Sequence, residues 1–413
     1  MQRLLLAVVV VLAALLLSRD PYVDKADAFF LDWLLRNTPA SGDHAPLTVV
    51  EIGGGPTVET QPNQQAPQQA PGNSPESHPN AGAVSPLEFA LFFQGILEFK
   101  PTVVAVEPPL KWRERDKNQE QVFLDQAMRV PKLLLSAELT STPDPDAPPA
   151  EIPGFPHVSG RRGDLPTFTG IQRQPDEDLR LISTIGYVNL PDVTTTRVPL
   201  LFNYRGEVIP AFALQAFLTW ARIPMSEVQI EVGTQIALPG GRKIPINWDG
   251  TLMVNPNWSK LGRRFTLNEL LLLAQQRQKN SALESLREDL ILARTPSNLL
   301  APADVFAATI ATLQSNHFVR RVSVLFDGAV VLFIALLASR AVRASRIDLV
   351  LGLIAFTAAY CLIAFTVMAR YTIWVPGLVP LGTAWLFGLL AFVWPRRKHR
   401  AKATEIAIPP PAP

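Results

Sequence analysis

Three apolar stretches follow one another closely late in the sequence: VSVLFDGAVVLFIALLAS (Val322–Ser339), LVLGLIAFTAAYCLIAFTVMA (Leu349–Ala369) and IWVPGLVPLGTAWLFGLLAFVW (Ile373–Trp394). A helix needs about 20 apolar residues to cross the hydrocarbon core of a bilayer, and each stretch is close to that length. Because backbone polar groups cannot stay unpaired in lipid, we expect helices. The alternative is a set of buried core helices, but the stretches show no polar face to water. We therefore predict three transmembrane helices within residues 322–394.

The short connections between these stretches predict their orientation. Three arginines lie between residues 340 and 346, and the segment 395–413 begins with the basic run PRRKHR. The other connection is only Arg370–Thr372. Short basic loops stay in the cytoplasm. The first connection and the Pro-rich tail 395–413 are therefore predicted to be cytoplasmic, and a domain formed by residues 19–321 is predicted to be extracytoplasmic.

The N-terminal residues 1–18 have a positive start and an apolar run, Leu4–Leu17. This run is short for a membrane span and typical of a signal-peptide core. A small-residue cleavage motif exists at Ala26–Ala28, but it lies far beyond the run. We favour an uncleaved signal anchor at residues 1–18, with cleavage as the alternative. Both interpretations send the following segment outward, in agreement with the C-terminal topology.

Composition argues against several classes of function. The formal net charge is only +2 and no basic patch is interleaved with aromatics, so nucleic acid is not an expected partner. The five histidines are scattered without ligand spacing, so we expect no metal and no cofactor. Signature motifs of hydrolases, zinc proteases and P-loop enzymes are missing, so we expect no enzyme. The single cysteine, Cys361, lies in the second apolar stretch, which leaves the outer domain without a disulfide.

A ligand-binding candidate emerges from the first strand–helix–strand pattern. Apolar runs predict a strand at Leu47–Ile52, a helix at Pro86–Phe99 and a second strand at Thr102–Val106. Such a unit favours parallel pairing with a right-handed crossover. Glu107 then lies at the carboxyl end of a parallel strand, where open α/β sheets place their ligands. The alternative is a capped or solvated carboxylate.

The rest of the outer domain contains a polar insertion, followed by short strands, turns and helices. Residues 57–84 are rich in Gln, Pro, Asn, Ser and Gly, which predicts a disordered insertion. Strands at residues 185–189 and 197–202 are predicted to form a strand–turn–strand unit, and Asp249–Gly250 predicts a hairpin turn. Together with helices at residues 211–220 and 303–313, the pattern predicts an α/β (α+β) domain with a central mixed sheet flanked by helices.

Asp327 is an ionisable residue inside the first apolar stretch. A charged group at membrane depth raises a functional hypothesis, so Asp327 is a transmembrane polar candidate. The alternative is that it reaches the interface close to Arg320 and Arg321. Pro376 and Pro380 in the last stretch are predicted to bend its helix.

Several blocks carry a resemblance to a known family. GYVN at Gly186–Asn189, followed by RVPL at Arg197–Leu200, resembles a block of the CHASE domain of type 2, the extracellular sensory domain of bacterial membrane receptors. Further resembling blocks are Pro210–Ala216, Ile244–Ile246 with Asp249–Gly250, and Ala307–Leu313 with Phe318–Arg321. The resemblance covers roughly residues 28–394. It implies a periplasmic sensory domain in the bacterial inner membrane, with one N-terminal anchor and three C-terminal helices.

The chain also departs from this family pattern. The first strand ends in Ile52–Gly53 where the family has Ile-Asp, while Glu107 keeps an acid at the end of the second. Family members commonly continue into a cyclase or kinase domain, whereas 13 residues follow Arg400. We therefore expect signal transduction through the membrane helices to a separate cytoplasmic or membrane output protein. An unknown small ligand or envelope protein would bind outside, and a homodimer is one arrangement. The alternative is an envelope scaffold or a protein-interaction subunit of a membrane complex.

Overall fold

A computed structural model describes residues 21–38, 44–53, 84–112, 117–142, 154–190, 196–276, 286–296, 304–341 and 346–393. The predicted anchor at residues 1–18 and nearly all of the predicted insertion at residues 57–84 lie outside these ranges. The chain divides into two compact units. The α/β unit comprises Leu31–Arg320 and Val367–Trp374, and the apolar-helix unit comprises Met1–Phe30, Arg321–Thr366 and Val375–Pro413.

The helices alternate with strands over most of the chain. In chain order they are α1 (Pro21–Asn37), α2 (Pro86–Leu97), α3 (Lys117–Ala127), α4 (Glu177–Ile182), α5 (Phe212–Ala221), α6 (Leu267–Gln275), α7 (Val305–Ser315), α8 (Val324–Ala341), α9 (Arg346–Tyr371) and α10 (Leu378–Val393).

The described strands are short, and the longest of them is Leu133–Thr140. In chain order they are β1 (Leu47–Glu51), β2 (Val103–Val106), β3 (Leu133–Thr140), β4 (His157–Ser159), β5 (Thr167–Phe168), β6 (Gly170–Arg173), β7 (Thr184–Tyr187), β8 (Arg197–Pro199), β9 (Leu201–Tyr204), β10 (Glu207–Pro210), β11 (Gln229–Glu231), β12 (Gln235–Ala237), β13 (Lys243–Pro245), β14 (Thr251–Met253), β15 (Arg263–Thr266), β16 (Leu290–Arg294), β17 (Arg320–Arg321) and β18 (Ile373–Trp374).

A mixed sheet forms the centre of the α/β unit, as predicted. Its strand order is β15-β1-β16-β2-β3, and β3 pairs with both β7 and β6. All of these pairings are parallel except that of β3 with β6. The predicted direct pairing of β1 with β2 is wrong, because β16 lies between them. Every residue of β16 is buried, so this strand gains most by taking an interior position.

Helices cover both faces of this sheet. Val104 and Val106 of β2 pack in a cluster with phenylalanines of α2 and α3. The alternate residues Val103 and Ala105 pack in a second cluster with residues of α5 and α7. Side chains of a strand alternate between the two faces, so burial on both explains the continuous apolar run of β2.

Short strands in mixed, mainly antiparallel pairings form a separate layer with its own core. β9 pairs with β10, and β11 pairs with β12 and β4. The predicted unit of residues 185–189 with 197–202 is wrong, because β7 pairs with β3 and β8 pairs with β14. The predicted Asp249–Gly250 hairpin is also wrong, since β13 and β14 pair with other strands. A turn does form there, with the Gly250 N–H donating to Asn247 at 3.0 Å.

The apolar stretches form helices near the predicted positions. Among the described residues, α9 alone is long and apolar enough to cross a membrane, whereas α8 and α10 contain the shorter apolar segments Leu325–Leu337 and Leu378–Leu389. The predicted bend within the last helix is wrong. Pro376 precedes α10 and Pro380 lies in its first turn, where a missing N–H breaks no intrahelical hydrogen bond.

A buried hydrogen bond joins the start of the sheet to the loop before β16. The Thr48 hydroxyl donates to the Asp289 carboxylate at 2.7 Å, and the two residues are 0% and 5% exposed. Burial raises the pKa of Asp289, and the hydrogen bond from Thr48 partly offsets that rise. The unfolded carboxyl titrates at about 3.9. Folding is therefore coupled to proton uptake at Asp289 between that pH and the folded pKa.

We expect Asp289→Asn to reduce the loss of stability as pH rises from about 4 toward neutrality. The amide oxygen still accepts the Thr48 hydrogen bond, while the penalty of burying a charge disappears. Urea unfolding of the full-length protein in detergent, repeated across this pH range, measures the change. Glu227→Gln serves as control, because Glu227 is an exposed acid that does not contribute to the shifted pKa of Asp289. An Asp289→Asn profile parallel to that of the parent protein would contradict the prediction.

Candidate functional site

The α/β unit contains a cavity of about 200 Å³ at the ends of several helices. Segments far apart in sequence form its wall, and all of them belong to the α/β unit. The lining consists of Leu35 and Thr38 at the end of α1, Asn255 and Trp258, His317 and Val319 after α7, and Met368–Thr372 at the end of α9 and beyond.

Asn257 fixes the end of α1 beside this cavity. The last four carbonyls of a helix have no partner within the helix. The side-chain amide of Asn257 donates to the carbonyls of Leu35, Arg36 and Thr38 at 3.0, 3.1 and 2.9 Å. Asn255 holds Asn257 in turn, because its side chain accepts the Asn257 N–H at 2.9 Å. One amide thus connects the end of α1 to the turn that contributes the cavity wall.

Thr372 has a backbone conformation that β-branched residues rarely adopt. Its φ is +53°, in the left-handed region. The Thr372 N–H donates to the Met368 carbonyl at 3.0 Å, and the Thr372 carbonyl accepts the Arg320 N–H at 3.0 Å. The hydroxyl lies within donating distance of two carbonyls, that of Tyr371 at 2.7 Å and that of Phe318 at 3.2 Å. Such conformations cost about 1–3 kcal/mol and persist where surrounding contacts enforce them, often at ligand sites.

The cavity combines an apolar floor with a polar rim. Leu35 and Trp258 are 0% and 2% exposed, whereas Tyr371 at the rim is 64% exposed. The Trp258 and His317 rings meet edge to face, with centroids 6.1 Å apart. Arg370 is exposed at the same rim. An apolar floor with a few polar groups is typical of a small-molecule binding site.

Glu107 lies at the carboxyl end of β2, as predicted, but it does not line the cavity. It is 1% exposed, and its N–H donates to the Ala293 carbonyl at 2.9 Å. Glu51 pairs directly with Arg294 between β1 and β16. Register places Glu107 and then Ser136 in the next two positions of this row. Four adjacent strands therefore end in a row of polar residues.

Opposite charges balance each other along this edge. Arg294 and Arg264 both form ion pairs with Asp304, and Arg264 lies 3.8 Å from Glu51. The hydroxyls of Ser136 and Thr295 are buried, and neither makes a hydrogen bond with a residue in the described ranges. A buried charge is tolerated in a protein interior only when opposite charges or hydrogen bonds stabilise it, as the ion pairs of Arg294 and Arg264 do here. The ligand-binding role of Glu107 remains a prediction.

Asp327 belongs to the apolar-helix unit and is 2% exposed. Its carboxylate lies 3.9 Å from the Arg321 guanidinium, so the predicted proximity to an arginine is confirmed. Neither carboxylate oxygen accepts a hydrogen bond from the part of the chain that the structure describes. Its functional role remains a prediction.

Asp27 is a second buried acid of the apolar-helix unit, and sequence reasoning missed it. It is 0% exposed, and its carboxylate accepts the N–H groups of Gly377 and Leu378 at 3.0 and 2.7 Å. These N–H groups lie at the start of α10, where helical N–H groups need acceptors. The sequence showed Asp27 only as the middle of a cleavage motif. Its partners lie about 350 residues away, so no local pattern could reveal this contact.

The chain was compared with known proteins at three levels. No family model, no curated protein and no solved structure matches it.

We expect the Thr372→Gly protein to be more stable than the Thr372→Val protein. Its free energy of unfolding should be about 1–2 kcal/mol higher. Both variants lose the hydroxyl hydrogen bond, worth about 1 kcal/mol, but only glycine relieves the left-handed strain. Urea unfolding of the full-length protein in mixed micelles, followed by tryptophan fluorescence, gives both values.

Thr366 in α9 is the matched control. There the order should reverse by a few tenths of a kcal/mol, because glycine is the poorer helix former. A Thr372→Val protein as stable as Thr372→Gly would show that position 372 is not held in the left-handed region.

Proposed function

We propose that this protein is a membrane-anchored, extracytoplasmic sensor. The α/β unit binds a small ligand, and the apolar helices pass the signal to a separate output protein. One observation carries the proposal. The chain crosses between the two units after Phe30, Arg320, Thr366 and Trp374. Residues that line the cavity lie within five positions of every crossing: Leu35, Val319, Met368 and Thr372.

This arrangement gives a ligand direct access to the connecting segments. A ligand in the cavity contacts the ends of α1 and α9 and the segments that lead to α8 and α10. Binding shifts an equilibrium only when the ligand prefers one of two states. Small movements of packed helices are a common form of such a two-state element. A ligand that fits only one arrangement of these segments would therefore bias the helices that continue from them.

The membrane location rests on α9 and on the charges of the loops. α9 is long and apolar enough to cross a membrane. The arginines between residues 340 and 346 favour the cytoplasm at its start. Its other end, Val367–Tyr371, belongs to the α/β unit. We propose a multi-pass protein of the bacterial inner membrane with a periplasmic α/β unit, as the resemblance to the CHASE domain of type 2 implies.

Ligand binding rather than catalysis is proposed for the cavity. Its lining contains no carboxylate and no serine or cysteine among the described residues. His317 in the lining could act as a general base, but the described lining offers it no carboxylate to orient its ring and no serine or cysteine to activate.

An envelope scaffold is the second candidate. Phe29 and Trp33, one helical turn apart on α1, are 81% and 50% exposed. Exposed aromatic residues are typical of protein interfaces and of membrane interfaces. They favour a partner or a second copy of the chain beside α1.

A thermal-shift screen of the full-length protein in detergent tests the proposed function. A small molecule that binds the folded state raises the melting temperature. We expect a hit that Ala369→Leu abolishes by filling the cavity and that Ala359→Leu, exposed on the same helix, leaves intact.

Other outcomes would change the proposal. A hit lost only in Glu107→Gln would move the ligand to the carboxyl edge of the sheet. The absence of any hit, together with a partner recovered by crosslinking in membranes, would favour the scaffold.

A further inference from the structure

The size of the cavity limits its ligand. Its volume of about 200 Å³ equals the space of about seven water molecules. Pockets for drug-sized ligands measure about 300–1,000 Å³. The cavity is therefore smaller than most sites for drug-sized ligands, and a small molecule or one end of a larger molecule fits it.

The floor of the cavity favours an apolar group on the ligand. Trp258, Val319 and Met368 line it and are 2%, 2% and 1% exposed. Apolar contact with these side chains favours a ring or a short branched chain.

The charge at the rim of the cavity is positive. Arg370 is the one lysine or arginine in the lining, and no acid lines the cavity among the described residues. Its guanidinium makes no ion pair or hydrogen bond with the described ranges of the chain. The Asn255 amide nitrogen also donates to no described residue, although its oxygen accepts the Asn257 N–H. These open groups are donors.

The helix C-termini beside the cavity carry partial negative charge, which disfavours an anionic ligand. Each C-terminus carries a partial charge of about −0.5, so the ends of α1, α7 and α9 would favour a cation. The protein itself already occupies their carbonyls. Asn257 caps α1, and the Thr372 N–H donates to Met368 at the end of α9. The Arg242 guanidinium donates to the last carbonyls of α7, Leu313 and Gln314.

The helix-end carbonyls beside the cavity are therefore already used, while the Arg370 guanidinium and the Asn255 amide nitrogen remain open as donors. We infer that the cavity binds a small apolar carboxylate, with the apolar group against Trp258 and the carboxylate at Arg370. This inference rests on the proposed function, because it assigns the ligand class of the same cavity. Arginine suits this role because its guanidinium can donate two parallel hydrogen bonds to a carboxylate.

Three probes of nearly equal shape test the ligand class: benzoate, benzamide and benzylamine. Their binding to the full-length protein in lipid nanodiscs is followed by ligand-observed NMR. The Ala369→Leu protein serves as the blank that removes partition into lipid. We expect benzoate to bind about tenfold more tightly than benzamide, and benzylamine to bind more weakly than either.

Two arginine variants then assign the carboxylate. Arg370→Gln should weaken benzoate about tenfold and leave benzamide unchanged. Arg320→Gln, an exposed neighbour that does not line the cavity, should change neither. Equal loss in both variants would overturn the assignment to Arg370 in favour of a general surface charge effect.

Failure of the ligand class is distinguishable from failure of the proposed function. Benzamide or benzylamine binding as tightly as benzoate, with Ala369→Leu abolishing the binding, would overturn the carboxylate and keep the cavity as a ligand site. Binding of all three probes that Ala369→Leu leaves unchanged would overturn both.

Discussion

Thr372 connects the link after α9 to the segment after α7, and both of these segments line the cavity. Its backbone and hydroxyl form hydrogen bonds with Met368, Phe318 and Arg320, which join the link after α9 to the segment after α7. These contacts hold a β-branched residue at a φ of +53°. Asn257 does the same for the end of α1 by donating to three carbonyls. A few residues therefore hold the end of α1, the segment after α7 and the link after α9 around one cavity.

The central sheet supplies the rigid body behind this cavity. β1, β16 and β2 are buried on both faces, and the helices on one face, α5 and α7, share a core with them. The end of α7 leads directly to His317 and Val319 at the cavity wall. At the carboxyl edge of the sheet, Arg294 lies beside Glu51 and pairs with Asp304. Balanced charges there keep a buried polar row compatible with the apolar core.

Local patterns predicted the elements better than their partners. The strand before Glu107 and its place at the carboxyl edge followed from apolar runs of a few residues. The pairing of β1 with β2 could not be predicted correctly, because β16 lies about 240 residues after β1 in the chain. The apolar run of β16 indicates a buried strand but does not indicate which two strands it lies between. The cavity was not predictable for the same reason. Asn257 and Leu35 are separated by 222 positions, and neither residue type signals a helix cap made at that distance.

The central claim is that the link after α9 lies on the same side of the membrane as the α/β unit, opposite the start of α9. Cysteine accessibility in intact cells tests it most directly, since Cys361 is the single cysteine and Cys361→Ser gives a clean background. Lys260→Cys, Arg370→Cys and Arg346→Cys would each be treated with a membrane-impermeant maleimide. The account predicts that positions 260 and 370 react from outside the inner membrane and that position 346 reacts only after lysis. Labelling of 346 and 370 from the same side, or of 260 and 370 from opposite sides, would contradict it.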